Sequence, residues 1–260
     1  MDGRTIGFIG GGRVVKIILG GLKQAGKMPR QVVVSDIDTD VLRRQKTEFP
    51  EIVTAENDNR EAAGQDIVFL AVHPQVIGDV LGEIRPYLKP DSFIISLAPR
   101  LTLARISEMT GGFQRVARMV PNAPSIINEG YNPVAFYEGT NERDRGELIG
   151  MLRVLGECVE VSEEKLEACA ILFAMGPTYL WFQLYELHDI GRSFGLTDRD
   201  ISDGLSKMVV GAVKTMYESG MPPEEVMDLV AVKPLKEHEE SIRDIYRMNL
   251  EAIYMRLKGS

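Results

Sequence analysis

Two cysteines, three histidines and one tryptophan in 260 residues leave little material for several kinds of chemistry. Cys158 and Cys169 lack the short spacing of a metal-binding or redox pair. His73, His188 and His238 are too dispersed to form a ligand cluster, so no metal is expected and buried free thiols are the simpler reading. Positive charge is also scarce. Thirty Lys and Arg against 38 Asp and Glu give a formal net charge of -8 and a pI near 5.1. That balance argues against nucleic acid or an anionic membrane as the main partner. Long apolar runs are few. The longest, Ala168 to Phe182, is interrupted by Gly176-Pro177 and is expected to be too short to span a bilayer. The first strand begins too close to the N-terminus for a cleavable signal, so a cytoplasmic location is expected. Internal repeats and low-complexity segments are missing as well.

What is present is a chain 44% hydrophobic and 26% charged, able to bury one large or two ordinary cores. Its densest signal lies between Arg4 and Ile37. Thr5-Ile6-Gly7-Phe8-Ile9 reads as a buried strand, Gly10-Gly11-Gly12-Arg13-Val14-Val15 opens a helical pattern through Leu22, and Val32-Val33-Val34-Ser35-Asp36 is a second strand. Strand, glycine turn, helix and strand make a dinucleotide-binding unit. Gly10 permits the tight turn, Gly12 lets the backbone approach a pyrophosphate, and the helix N-terminus favours its charge. Val15 stands where Gly or Ala usually allows close helix packing, so either the helix stands further off or the motif is degraded. A glycine-rich turn that binds nothing is the competing reading. Cofactor-binding candidates are Gly10, Gly11, Gly12, Arg13, Val14, Ser35 and Asp36. Asp36 would accept hydrogen bonds from the adenine ribose and repel a 2′-phosphate, which leans toward NAD. It could instead cap the helix near Asp38, and Arg13, Lys16, Arg43 and Arg44 could supply counter-charge for NADP.

Further alternation follows. Helices are expected over Asp38–Phe49, Val76–Leu88, Leu101–Met109 and Glu142–Leu155. Strands are expected over Ile52–Ala55, Asp66–Val72, Phe93–Leu97, Arg115–Met119, Tyr131–Tyr137 and Cys158–Val161. The fold class is α/β, a Rossmann doubly wound sheet over residues 1–161. In such sheets ligands bind beyond the carboxyl ends of the strands. The loops there are Ala71-Val72-His73-Pro74-Gln75, Ser96 to Arg100, and Met119 to Pro124. The first adds Ala71, Val72, His73 and Pro74 to the cofactor candidates. Asn122 offers an amide either to the nicotinamide or to the backbone of its own turn. Residues 162–260 show helical periodicity only and form a second, all-helical domain. One face carries Ile201, Leu205, Met208, Val209, Ala212, Val213, Met216 and Tyr217, and a last amphipathic helix runs from Ile242 to Leu257. Pro222-Pro223 opens a short helix between them. Such broad apolar faces suit a second subunit, hence a homodimer.

Several ordered motifs carry a family likeness. They are Gly7-Phe8-Ile9-Gly10-Gly11-Gly12, Ala71 to Gln75 against AVKPQ, Arg118 to Asn122 against RxMPN, and Gly176-Pro177 within GSGPA. Over nearly its whole length the chain resembles the pyrroline-5-carboxylate reductase family. The resemblance implies a Rossmann domain, a helical dimerisation domain, and hydride transfer from NAD(P)H to a carboxylated cyclic imine in a crevice between domains, as in proline biosynthesis. Substrate-binding candidates are Met175, Gly176, Pro177 and Thr178, where a Gly-Pro break would leave helix N–H groups for a carboxylate or merely kink the chain. Met175 replaces a small hydroxyl residue, Arg100 replaces the glycine of SxAAG, and Pro234-Leu235-Lys236-Glu237-His238 replaces PGGTT. No glycine remains there to wrap a carboxylate, so Arg100 or Lys236 would have to pair with it. Tyr179 and His238 are candidate proton donors, with ordinary packing or surface roles as the alternative. A non-catalytic nucleotide-binding dimer of the same fold is the competing function.

Overall fold

β-branched and aromatic runs alternate with amphipathic helices from Thr5 onward, and the computed structural model, which describes residues 3–259, folds them into an eight-stranded sheet. The strands are β1 (Thr5–Ile9), β2 (Gln31–Asp36), β3 (Val53–Glu56), β4 (Ile67–Leu70), β5 (Phe93–Ser96), β6 (Val116–Met119), β7 (Gly130–Phe136) and β8 (Gly156–Glu160). Their order is β3-β2-β1-β4-β5-β6-β7-β8. All neighbouring pairs are parallel except β6 with β7. That exception follows from the connection, since only a 3-10 turn (Ala123–Ile127) separates β6 from β7, too short for a crossover. The helices of this region are α1 (Arg13–Gln24), α2 (Thr39–Glu48), α3 (Arg60–Ala63), α4 (Ile77–Ile84), α5 (Leu103–Met109) and α6 (Glu142–Leu152).

The two-residue period of a strand sorts each apolar run between two cores. Ile67 and Phe69 of β4 join Phe8, Val15, Ile18 and Leu22 on one face. Val68 and Leu70 join Ile9, Val33, Ile77 and Leu81 on the other. Phe8 and Phe69 stack with centroids 4.9 Å apart. At Gly7 a Cβ would lie 1.8 Å from the carbonyl oxygen of Ala62, so only glycine lets α3 sit this close to β1. The order of strands reverses at β1, between β2 and β4, and the crevice of such a switch point is where α/β sheets hold ligands.

The later helical elements are α7 (Leu166–Cys169), a π-helical turn (Ala170–Ala174), α8 (Gly176–Ser193), α9 (Asp198–Glu218), α10 (Pro223–Asp228) and α11 (Glu239–Lys258). The chain divides into one unit up to Met175 together with the segment from Ile253 on, and a second unit, Gly176–Ala252. This differs from the boundary expected at 161/162. Leu166 is buried in the second core, and Glu163 and Glu167 are ion-paired to Arg118 of β6, so residues 162–175 belong with the sheet. The expected apolar run is also longer than its sequence suggested. A helical stretch runs from Glu163 to Ser193 and is long and apolar enough, by length and composition alone, to cross a membrane. Just before Gly176-Pro177 the backbone widens, Met175 N–H bonding the Ala170 carbonyl at 2.9 Å, and α8 starts afresh at Gly176.

Candidate active site

The glycine turn between β1 and α1 is braced at every peptide. Gly10 has φ +94°, and a Cβ there would lie 2.6 Å from the Ala71 carbonyl oxygen, so both conformation and space require glycine. Its N–H donates to the Ser35 carbonyl at 2.8 Å. Gly11 N–H donates to Asp36 Oδ2 at 2.7 Å, and Asp36 Oδ1 accepts from Asp38 N–H at 2.9 Å. From α2, Gln45 Nε2 donates to the carbonyls of Gly11 at 2.7 Å and Gly12 at 3.3 Å.

Gly12 then caps α1 in an extended conformation, and nothing lies within 4 Å of where its Cβ would be. No acid stands in the first turn of α1. Among the described residues the N–H groups of Gly12, Arg13 and Val14 have no backbone or side-chain acceptor. Unpaired donors at a helix start with open space before them make an anion seat. A cavity of about 530 Å³ adjoins it, lined by Gly11, Gly12, Arg13, Val41, Arg44 and Gln45 among others. The three N–H groups of the seat fit the pyrophosphate half of a dinucleotide. Val15 does not spoil the fit. It is fully buried in the first core, and the close approach of α1 has moved to Gly20 and Gly21, which face Ile126 and the Ser125 carbonyl.

Ala71, Val72, His73 and Pro74 follow β4 across the switch point, with Ala71 N–H on the Ile9 carbonyl at 2.8 Å and Val72 against Gly10. His73 is exposed and its Nδ1 accepts from Gln75 N–H. One cofactor candidate needs correction. Ser35 is fully buried, and its hydroxyl donates to Asn59 Oδ1 at 2.6 Å behind the strand, so only its backbone serves the turn. Asn122 is buried with Oδ1 accepting from Tyr131 N–H at 3.1 Å, the turn-backbone role that is one of its two readings.

A second cavity, about 180 Å³, lies at the carboxyl ends of β5 and β6, lined by Val14, Leu97, Ala98, Pro99, Met119, Pro121, Ala170 and Ala174 among others. Val14 links it to the start of α1. Arg118, only 6% exposed, forms part of its wall and pairs with Glu163 at 2.9 Å and Glu167 at 2.7 Å. Glu163 also accepts the Leu103 N–H at the start of α5. Arg100 has φ +74°, and its guanidinium donates to the Arg256 carbonyl in the last turn of α11 at 2.8 Å. The expected pairing with a substrate carboxylate is therefore replaced by a cap on a helix end.

In the second unit, Gly176, Pro177 and Thr178 form the first turn of α8, while Met175 closes the unit before it. Tyr179 meets Tyr246 edge to face at 5.9 Å, and burial, with a smaller contribution from Tyr246, pushes its phenol up from the ordinary tyrosine value. It holds its proton throughout the neutral range. Lys236 and His238 lie on an exposed 3-10 turn, and Lys236 borders an apolar groove with Met227, Leu235, Ile242 and Tyr246. Gln45 and the Arg118 ion pairs escaped the sequence reading. Their only sequence signal is a polar residue on the apolar side of a helix and acids in an otherwise ordinary helical stretch.

A Rossmann sheet with this braced, open glycine turn defines a dinucleotide-binding protein. Residues 5–100 match the family model described as NADP oxidoreductase coenzyme F420-dependent. Pyrroline-5-carboxylate reductase of Escherichia coli (strain K12) is 28% identical over 228 residues, covering 87% of this chain and 84% of that protein. The crystal structure of Plasmodium falciparum pyrroline carboxylate reductase with NADP bound has a TM-score of 0.82 at 22% identity, covering 100% of this chain and 98% of that one. A pyrroline-5-carboxylate reductase from Coxiella burnetii has a TM-score of 0.68 at 27% identity, with 98% and 94% covered. Over most of its length the chain is similar to pyrroline-5-carboxylate reductases.

Proposed function

We propose that this chain is an NAD(P)H-dependent reductase of C=N bonds acting on pyrroline-5-carboxylate, the compound its relatives' names give as their substrate, or on a closely related carboxylated imine. The observation that carries the reading is the anion seat at Gly12, Arg13 and Val14, open in front and braced behind. Those N–H groups hold the pyrophosphate, and Arg13 adds charge from the cavity rim. Asp36, fixed by Gly11 and Asp38, stands at the end of β2, where a carboxylate would accept hydrogen bonds from the adenine ribose and repel a 2′-phosphate, which supports NAD as the preferred form. A bound nicotinamide supplies hydride, chemistry that belongs to the cofactor. The protein's part is to orient the ring and exclude water, which the apolar wall of Val14, Leu97, Pro99 and Met119 provides. Tyr179, protonated at neutral pH, is the proton-donor candidate; His238 stands on an exposed turn.

The proposal includes a cytoplasmic homo-oligomer. Within α8, α9, α10 and α11 only Gly191 and Ile201 are buried, so these helices lack a core of their own. Their apolar faces are served by a second copy. The test is titration with NADH and NADPH by nicotinamide fluorescence, with and without pyrroline-5-carboxylate, following oxidation in the same cuvette. Binding with oxidation supports the reductase. Binding without oxidation of any imine or keto acid leaves the nucleotide-binding dimer, and no binding sinks both.

A further inference from the structure

Leu42 and Gln45 are the buried residues of α2, and a glutamine in such a place costs stability unless its amide is satisfied. Only half of it is. Nε2 donates to the carbonyls of Gly11 at 2.7 Å and Gly12 at 3.3 Å, while Oε1 is buried with no partner among the described residues. Rotating the amide would not help, because Oε1 would then face two carbonyl oxygens. Leu or Met would fill this space but leave the Gly11 carbonyl unpaired, so the residue's contribution is its bond to the turn and not its packing.

Peptide geometry shows what that bond does. In a trans peptide the C=O of one residue and the N–H of the next point in opposite directions. Drawing the Gly11 carbonyl toward α2 turns the Gly12 N–H away from it, while the Gly12 carbonyl, which also accepts from the Val15 and Lys16 N–H groups, fixes the Arg13 N–H with the first turn of α1. Those two N–H groups belong to the seat described above, and glycine makes the turn soft enough for other orientations. We propose that Gln45 is a positioning residue for dinucleotide binding, holding the turn so that its donors face the pyrophosphate. The inference rests on the nucleotide-binding reading and adds to it a residue outside the glycine motif.

Two variants test it, with NADH as the probe and nicotinamide fluorescence as the readout. Gln45→Met keeps the volume and removes both the donor and the orphaned acceptor. It also leaves the buried Gly11 carbonyl unpaired, so its thermal midpoint should fall modestly, while NADH binding weakens roughly tenfold, the worth of one lost hydrogen bond. Gln45→Glu faces the carbonyls with a carboxylate, so at pH 8 binding should fall further. As pH is lowered toward 6 the buried acid gains a proton, donates one bond, and binding should recover. A merely structural role would lower the midpoint while the folded variants kept wild-type NADH binding, with no such recovery. Folded variants that bind NADH within about twofold of wild type at pH 8 would overturn the proposal. Wild-type protein that binds neither NADH nor NADPH would instead overturn the nucleotide reading, and the seat with it.

Discussion

Gly10 and Gly12 sit two residues apart and are required for different reasons, which makes them separable. At Gly10, φ is +94° and the Ala71 carbonyl blocks a Cβ, so Gly10→Ala should destabilise the fold by at least about 2 kcal/mol, read by urea unfolding. At Gly12 the backbone is extended and the space empty. Gly12→Ala should unfold like wild type yet bind NADH more than tenfold more weakly, because the methyl stands in the seat. Equal stability losses in the two variants would mean the turn is packed rather than open. This part of the site was legible because glycine spacing, a β-branched strand and a terminal acid each report on backbone geometry. Gln45 was not, since a glutamine at a buried helix position looks like one on the surface until α2 is placed against the turn.

A second residue-scale test concerns Cys158, whose thiol burial pushes from an ordinary value near 9 to about 12. Above pH 9 the unfolded chain loses this proton while the folded chain keeps it, so stability falls as pH rises toward about 12. Cys158→Ala should flatten that slope in denaturation curves across this window. An unchanged slope would assign the alkaline loss to other groups.

At the scale of elements, the sequence shows helical periodicity from Ser162 and no sign that residues 162–175 stay with the sheet. The attachment is made by Leu166 in the second core and by Glu163 and Glu167 on Arg118, and acids at such spacing read as a solvated helix face. The strands were easier to place, because runs buried on both faces are continuous and apolar. Arg118→Leu removes the cation from between two largely buried carboxylates. It should cost about 3–5 kcal/mol of stability, much of it regained when Glu163→Gln and Glu167→Gln are added. Were the triple variant no more stable than Arg118→Leu alone, charge could not be the reason the segment is held. The same substitution should lower reductase activity, since Arg118 helps wall the cavity at β5 and β6.

At the scale of the whole molecule, the two units differ in how they are stabilised. The sheet unit carries both apolar cores. The unit from Gly176 to Ala252 leaves Trp181, Phe182, Tyr185, Phe194, Met208, Val213, Met216 and Tyr217 exposed. An apolar surface of this kind calls for another chain or a bilayer, and the Glu163–Ser193 stretch passes a membrane criterion by length and composition. Aspartate and arginine favour the first. Asp189 and Arg192 in the last turns of α8 and Asp198, Arg199 and Asp203 at the start of α9 are exposed to water along with the apolar residues. Sedimentation at micromolar concentration should therefore give a multiple of 28.9 kDa without detergent. The thermal midpoint should rise with protein concentration, as mass action requires when folding and association are linked. Placing charge on the exposed face of α9, with Val213→Asp and Met216→Asp together, should shift the protein to the single-chain mass and lower its midpoint. NADH binding should be weakened less than activity, because the seat at Gly12 lies wholly within the sheet unit. A wild-type protein that sediments as one chain, with a midpoint independent of concentration, would refute assembly as the means by which these helices are buried.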